Sequence, residues 1–229
     1  MVLLDASGSM RSSQGYIIEG FNTLLQDQKA KPEQCDFTLA QFSSAGTFKY
    51  MIERTPIQDV PELTNDKYVI GGMTALNDSL GRVIDETGRK LAALPEEERP
   101  SGVMIVVLTD GEENDSREYS AKQIADMIKH QTETYNWNFI YIGANQDSKK
   151  VAQSRGITDS FNYSTSKDSI GATFSNISGA VASFRSSGGI GNKFKSSLIN
   201  VTDEDLQKLG SINLKNTNKV EPNTTTQND

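Results

Sequence analysis

Short apolar runs alternate with longer segments of helical periodicity along most of the chain. Apolar or alternating runs predict strands over 1–4, 36–44, 47–55, 102–110, 137–144 and, at an edge, 161–165. Apolar residues spaced three and four positions apart predict helices over 15–30, 75–94, 120–136, 148–156 and 168–187. This alternation is typical of strands joined by crossover helices in a mainly parallel sheet.

Two of these regions say more about the sheet. The runs at 36–44 and 47–55 are separated only by an Ala-Gly pair, which predicts an antiparallel hairpin. The run at 102–110 is continuously apolar until it ends in Asp110, as in a central strand buried on both faces. The sequence therefore predicts a doubly wound α/β fold with a mostly parallel central sheet, one antiparallel edge strand and helices on both faces.

The polar content rises towards the end of the chain. Residues 1–187 are predicted to form one domain, with a core over 1–165 and a packing helix over 168–187. From 188 to 229 the chain is rich in Gly, Ser, Asn, Thr and Lys and has little to bury, which predicts a largely flexible tail. The first predicted strand begins at residue 1, so either the native chain starts abruptly or the sequence has been trimmed.

Composition narrows the classes of partner. The 229 residues carry a formal net charge of -7, and their Lys and Arg residues are scattered, so we expect no binding to nucleic acid. The single cysteine, Cys35, cannot form an internal disulfide, and neither a secretion signal nor a membrane-spanning run is evident. The expectation is a cytoplasmic protein with no membrane partner.

Small oxygen-bearing side chains follow two of the buried strands. Asp5, Ser7 and Ser9 occupy alternate positions after the first strand, so their side chains can share one face, and Asp110 ends the central strand. Thr74, just ahead of a helix, supplies a third loop. In a doubly wound sheet such loops border the ligand crevice. An all-oxygen set of this kind suits Mg²⁺, Mn²⁺ or Ca²⁺ better than zinc or copper.

Together these residues resemble the metal-ion-dependent adhesion site of von Willebrand factor A domains. The D-x-S-x-S of Asp5, Ser7 and Ser9, the threonine at Thr74 and Asp110 in "LTDGEEN" match in order and spacing, over about the first 165 residues. The resemblance implies hydroxyl ligands from Ser7, Ser9 and Thr74, with Asp5 and Asp110 binding directly or through water. More narrowly, the chain is similar to small stand-alone A domains of bacteria and their phages.

This resemblance predicts a binding module and not an enzyme. It implies an open coordination position, often filled by a carboxylate of a partner protein, and a site of mainly neutral hydroxyls leaves a divalent cation in need of such an anion. The expected function is capture of an Asp or Glu side chain of a partner protein through a divalent cation, Mg²⁺ being favoured. The resemblance suggests ring ATPases, stress-response complexes and phage or defence complexes as classes of partner.

Two other functions stay open. A Mg²⁺-dependent phosphohydrolase of the haloacid dehalogenase type also places an aspartate after its first strand, but it requires D-x-D, and Ser7 stands at the second position. A purely structural role in a larger particle would use helix 168–187 or the polar tail as its contact.

Several other polar residues have simpler interpretations. Glu112 and Glu113 are expected to be solvated or to complement a helix dipole, and Asp78 is expected to be exposed and not a ligand. His130, the only histidine, is predicted to lie on the surface, which leaves no histidine for a catalytic triad or a zinc site. The segment 186–194 lacks the spacing of a phosphate-binding loop and is predicted to be a flexible linker.

Overall fold

The computed structural model describes residues 1–110, 112–144 and 148–187, so the tail predicted over 188–229 lies outside the described residues. The strands are β1 (Val2–Asp5), β2 (Asp36–Phe42), β3 (Lys49–Pro56), β4 (Met104–Thr109), β5 (Asn138–Ala144) and β6 (Asp159–Tyr163). The α-helices are α1 (Gln14–Lys29), α2 (Leu76–Ala92), α3 (Ala121–Tyr135), α4 (Ser148–Gln153) and α5 (Lys167–Ser187). Each predicted strand and helix is present, with ends that differ by a few residues.

The six strands form one sheet in the order β3-β2-β1-β4-β5-β6. Only the β2–β3 pair is antiparallel, which confirms the predicted hairpin at one edge. The strand β1 lies between β2 and β4, with Val2 opposite Leu39 on one side and Val106 on the other. The direction of strand addition reverses between β1 and β4, and this is where doubly wound sheets open a crevice at the carboxyl ends of their strands.

Helices cover both faces of the sheet. Leu4 of β1 belongs to the apolar cluster that includes Phe21 of α1 and Phe174 of α5. The neighbouring Leu3 points to the other face, into the cluster with Leu80 of α2 and Ile124 of α3. Successive strand residues thus serve opposite layers, as the pleat requires. None of the helices in the described residues is sufficiently long and apolar to span a membrane.

The segment between β3 and α2 is more buried than its sequence suggested. Residues 56–69 are mostly polar and carry two prolines, a composition typical of an exposed loop, yet Val60, Leu63 and Tyr68 are buried there. The side chain of Asn22 in α1 bonds both backbone groups of Leu63, donating at 3.0 Å and accepting at 2.8 Å. This side-chain pairing replaces a sheet partner, so the segment packs without a periodic pattern that sequence inspection could recognise.

Candidate metal centre

Two of the predicted ligands lie at neighbouring strand ends. Asp5 is the last residue of β1 and is fully buried, and Asp110 directly follows β4 and is half-buried. Because β1 and β4 are adjacent and parallel, their carboxyl ends meet at the same edge of the sheet. The structure thus brings both carboxylates to the crevice predicted from the sequence.

The loop after β1 connects these carboxylates through two serines. The Ser7 N–H donates to Asp5 Oδ1 at 2.7 Å, and the hydroxyl oxygens of Ser7 and Ser9 are hydrogen-bonded at 3.0 Å. The Ser9 hydroxyl then donates to Asp110 Oδ1 at 2.5 Å. Four of the five predicted residues therefore form one continuous chain of hydrogen bonds, buried at Ser7 and exposed at Ser9.

The fifth residue, Thr74, is brought in by backbone contacts of its loop. The Gly71 N–H donates to the Ala6 carbonyl at 2.8 Å, and the Gly8 N–H donates to the Gly72 carbonyl at 3.0 Å. Gly72 has φ of +85° and a Cβ there would lie 2.5 Å from Ser44 Oγ, so this tight approach needs glycine. The side chain of Thr74 is buried beside the first loop.

Asn114 is a part of the site that the sequence did not single out. Its Oδ1 accepts from the Thr74 N–H at 2.8 Å, and its own N–H donates to the Thr74 carbonyl at 3.0 Å. The Asp115 N–H donates to the same carbonyl at 3.3 Å. The loop after β4 therefore fixes the backbone of Thr74, and only its place in "LTDGEEN", close behind Asp110, could have suggested this.

Asp5 is held by two hydroxyl groups, those of Thr109 and Tyr68, which the sequence analysis also did not identify. The Thr109 hydroxyl donates to Asp5 Oδ2 at 2.6 Å, and the Tyr68 hydroxyl donates to the Asp5 backbone carbonyl. With the Ser7 N–H on Oδ1, both carboxylate oxygens of Asp5 already have a donor. Thr109 lies near the end of a continuous apolar run and Tyr68 lies in a mostly polar segment, so neither residue carries a sequence signal that indicates a contact with Asp5.

The acidic residues around the start of α2 serve the backbone. Glu113 accepts from the Asn77 N–H at 2.8 Å in the first turn of α2, so the dipole-complementing role expected for it is confirmed, and Glu112 is exposed. Asp78 was expected to be exposed, and this was wrong. It is half-buried, because its carboxylate accepts from three successive backbone N–H groups, those of Arg117, Glu118 and Tyr119.

The electrostatics of the site favour a bound cation. Burial raises the pKa of Asp5 from its ordinary value to about 6, against the lowering effect of the hydrogen bonds from Thr109 and Ser7. Burial also raises the pKa of Asp110. Both shifts express the cost of placing negative charge at this edge without a counter-charge. A cation bound beside them would relieve that cost.

The donor set fits a hard divalent cation. Hydroxyl and carboxylate oxygens are the ligands that Mg²⁺, Mn²⁺ and Ca²⁺ prefer. In the described part of the chain, no three His, Cys, Asp or Glu side chains gather into a metal-binding group. His130 is exposed on α3, as predicted. A cation held at this edge would thus depend on the hydroxyls of Ser7, Ser9 and Thr74 as much as on carboxylates.

Comparison with known proteins agrees with this geometry. The sequence profile of the von Willebrand factor type A domain matches residues 1–176. The chain therefore belongs to the von Willebrand factor type A domain family. Domains of this family commonly mediate metal-dependent protein–protein interactions and are typically interaction modules. No curated protein sequence matches the chain.

Solved structures share the fold at low sequence identity. Proximal thread matrix protein 1 from the mussel byssus, with a zinc-occupied MIDAS motif, is 15% identical with a TM-score of 0.53, covering 79% of this chain and 44% of its own. A second structure of that protein is 14% identical with a TM-score of 0.52, covering 79% and 45%. The ArnB paralog VWA2 from Sulfolobus acidocaldarius is 17% identical with a TM-score of 0.49, covering 76% of this chain and 43% of its own. The chain thus spans less than half the length of these proteins.

Proposed function

We propose that the chain is a metal-dependent protein-binding module that captures an acidic side chain of a partner protein. The hydroxyls of Ser7, Ser9 and Thr74 would hold a divalent cation, with Asp5 and Asp110 binding directly or through water. The observation that carries this proposal is the hydrogen-bonded chain from Ser7 through Ser9 to Asp110, at 3.0 and 2.5 Å. Mg²⁺ is favoured because every donor is a hard oxygen, with Mn²⁺ and Ca²⁺ as alternatives.

The exposure of the site determines what it can bind. The chain of donors is buried at Ser7 and open to solvent at Ser9, so a cation held there keeps one side towards solvent. When bound, the cation supplies positive charge that the neutral hydroxyls leave only partly compensated. Ser7, Ser9 and Thr74 orient it from below, and an Asp or Glu carboxylate of a partner can approach from the open side.

The phosphohydrolase alternative receives no support from the position of Asp5. A nucleophilic carboxylate needs access to a phosphorus atom, whereas Asp5 is fully buried. Its Oδ1 already accepts from the Ser7 N–H and its Oδ2 from the Thr109 hydroxyl. Ser7, where the second acid of such an enzyme would stand, cannot protonate a leaving group.

The open position can be tested with Mn²⁺ as a paramagnetic probe. Water-proton relaxation measures exchangeable water on protein-bound Mn²⁺, and a short peptide containing one aspartate should lower it by displacing that water. The same peptide with asparagine in place of aspartate should not. A relaxation signal that neither peptide changes would contradict an open position for a carboxylate.

A double variant tests the ligands of the same site. Ser7→Ala with Ser9→Ala should remove both Mn²⁺ binding and the response to the aspartate peptide, while the melting temperature changes little because the lost groups are loop hydroxyls. Ser12→Ala is a matched control, since Ser12 is exposed at the end of the same loop. Metal and peptide binding that survive the double substitution would overturn the proposed function.

A further inference from the structure

A second concave site lies near the amino end of the central strand β4, whereas the metal centre lies at its carboxyl end. Val103, which precedes β4, lines a cavity of about 420 Å³, whereas Asp110 follows the same strand. The six residues of β4 separate these two positions by roughly 20 Å. The cavity is therefore distinct from the metal centre and shares no residue with it.

The floor of this cavity is apolar and aromatic. It is enclosed by the last turns of α2, the last turns of α3 and the loop before β4. Ile84, Val103 and Trp137 are buried side chains that line it, and Tyr135 stands exposed at its margin. The volume falls within the range of about 300 to 1,000 Å³ that is usual for small-molecule sites.

Cationic side chains line the same cavity. Arg89 and Arg99 both contribute to it, together with the imidazole of His130. The guanidinium of Arg99 is fixed by donating to the backbone carbonyls of Ala92 and Leu94 at 3.2 and 3.1 Å. Arg89 is exposed, and within the described residues its guanidinium has no hydrogen-bond or ion-pair partner.

The lining of the cavity carries two arginines against one carboxylate. Asp85 is the one carboxylate among the lining residues, and it accepts a hydrogen bond from the Tyr119 hydroxyl at 2.9 Å. The three glutamates at 96–98 lie on the turn before the loop and are not among the lining residues. A concentration of arginines over an apolar floor is notable in a chain whose net charge is -7.

We infer that this cavity binds a small aromatic anion, an aromatic ring bearing a carboxylate or sulfonate. The ring would lie on Trp137 and the aliphatic floor, and the anionic group would meet Arg89 at the rim. The complementarity is of two kinds, since the floor favours a flat apolar body and the rim favours negative charge. This binding needs no divalent cation and is independent of the proposed function.

The single tryptophan of the chain makes this inference measurable. Trp137 lines the cavity and is the only tryptophan in the sequence, so energy transfer from it is strongest for dye bound at this site. The probe is anilinonaphthalene sulfonate, titrated into the full chain in the presence of chelator. We expect saturable binding with energy transfer from Trp137, and weaker binding of the uncharged analogue phenylnaphthylamine.

Two variants separate occupancy of the cavity from adventitious dye binding. Gly88 lines the cavity on α2, and a Cβ there would lie 3.7 Å from Gln131 Nε2, an ordinary contact. The Gly88→Leu variant should therefore fold, since leucine also has a higher helix propensity than glycine. It should abolish energy transfer because the leucine side chain fills the cavity. Gly15→Leu on α1, where nothing lies within 4 Å of a Cβ, is the matched control and should leave binding unchanged.

The charge requirement has its own variant. Arg89→Gln should weaken binding of the sulfonate about tenfold, the effect expected for loss of one charge-assisted hydrogen bond, and leave the uncharged analogue unaffected. Absence of energy transfer in the wild type would overturn the inference. So would unchanged binding in Gly88→Leu, or an Arg89→Gln effect of equal size on both dyes.

Discussion

Asn114 holds both backbone polar groups of Thr74, accepting from its N–H at 2.8 Å and donating to its carbonyl at 3.0 Å. The two residues lie on different loops, one after β4 and one before α2. The hydroxyl of Thr74 is one of the proposed ligands. Its position therefore depends on a side chain that would not touch the cation itself, and this dependence gives the first prediction.

Asn114→Ala should weaken cation binding by about tenfold or more, the usual cost of removing a group that orients a metal ligand. Asn114→Asp keeps an acceptor oxygen for the Thr74 N–H and should bind more tightly than the alanine variant. Calorimetric titration of Mg²⁺ into the metal-free proteins measures the difference. Asn138→Ala, at the opposite edge of the sheet, is the control. Equal affinities for Asn114→Ala and wild type would show that the contact does not position the ligand.

The metal-free protein should lose the stabilising contribution of Asp5 as the pH rises through the titration of this residue. Burial raises the pKa of Asp5 from 3.8 to about 6, so between these values the folded state binds more protons than the unfolded state. The contribution of Asp5 to the free energy of unfolding should therefore be fully present below about pH 4 and fall by up to about 3 kcal/mol by pH 7. Urea unfolding across this range measures it.

Asp5→Asn is the control for that pH dependence. Asparagine keeps an acceptor oxygen and carries no charge, so the variant should show a flatter profile between pH 4 and 7 in metal-free buffer. It should also fail to gain stability when Mg²⁺ is added, whereas the wild type should gain it. A wild-type stability that rises with pH relative to that of Asp5→Asn over this range would be the opposite of the expected sign.

The packing of α1 on α5 offers a matched pair of glycine substitutions. A Cβ at Gly20 would lie 2.2 Å from the Phe174 ring, whereas a Cβ at Gly15 meets nothing within 4 Å. Gly20→Ala should therefore lower the free energy of unfolding by about 1 to 3 kcal/mol. Gly15→Ala, in the same helix, should raise it by up to about 1 kcal/mol. Chemical denaturation of both variants is the measurement, and equal stabilities would contradict the close packing of the two helices.

Most of the fold was predictable because its signals are local. The apolar residues of α2 recur at helical spacing because one face of the helix is buried, and β4 is continuously apolar because both of its faces are buried. The Ala-Gly pair marks the hairpin between β2 and β3. The segment at 56–69 was not predictable. Its burial depends on Asn22 reaching across from α1 to the backbone of Leu63, a contact that leaves no period in the sequence.

The candidate site likewise has residues that the sequence could group and residues that it could not. Asp5, Ser7, Ser9 and Asp110 could be grouped from the sequence because parallel strands bring their carboxyl ends to one edge. The residues that hold these candidate ligands in place could not be recognised from the sequence. Asn114 and Thr109 act through hydrogen bonds to residues that lie 40 and 104 positions away along the chain, and no local pattern indicates such pairs.

The most direct test of the account is whether the hydroxyl of Thr74 binds a divalent cation. Thr74→Val removes that hydroxyl and preserves the shape of a buried side chain, and Thr23→Val, exposed on α1, is its control. The measurement is calorimetric titration of Mg²⁺, Mn²⁺ and Zn²⁺ into the metal-free proteins. Wild type and Thr23→Val should each bind the hard cations at one site. Thr74→Val should show no binding. A wild type that binds none of these ions, or a Thr74→Val protein that binds them as wild type does, would contradict the account.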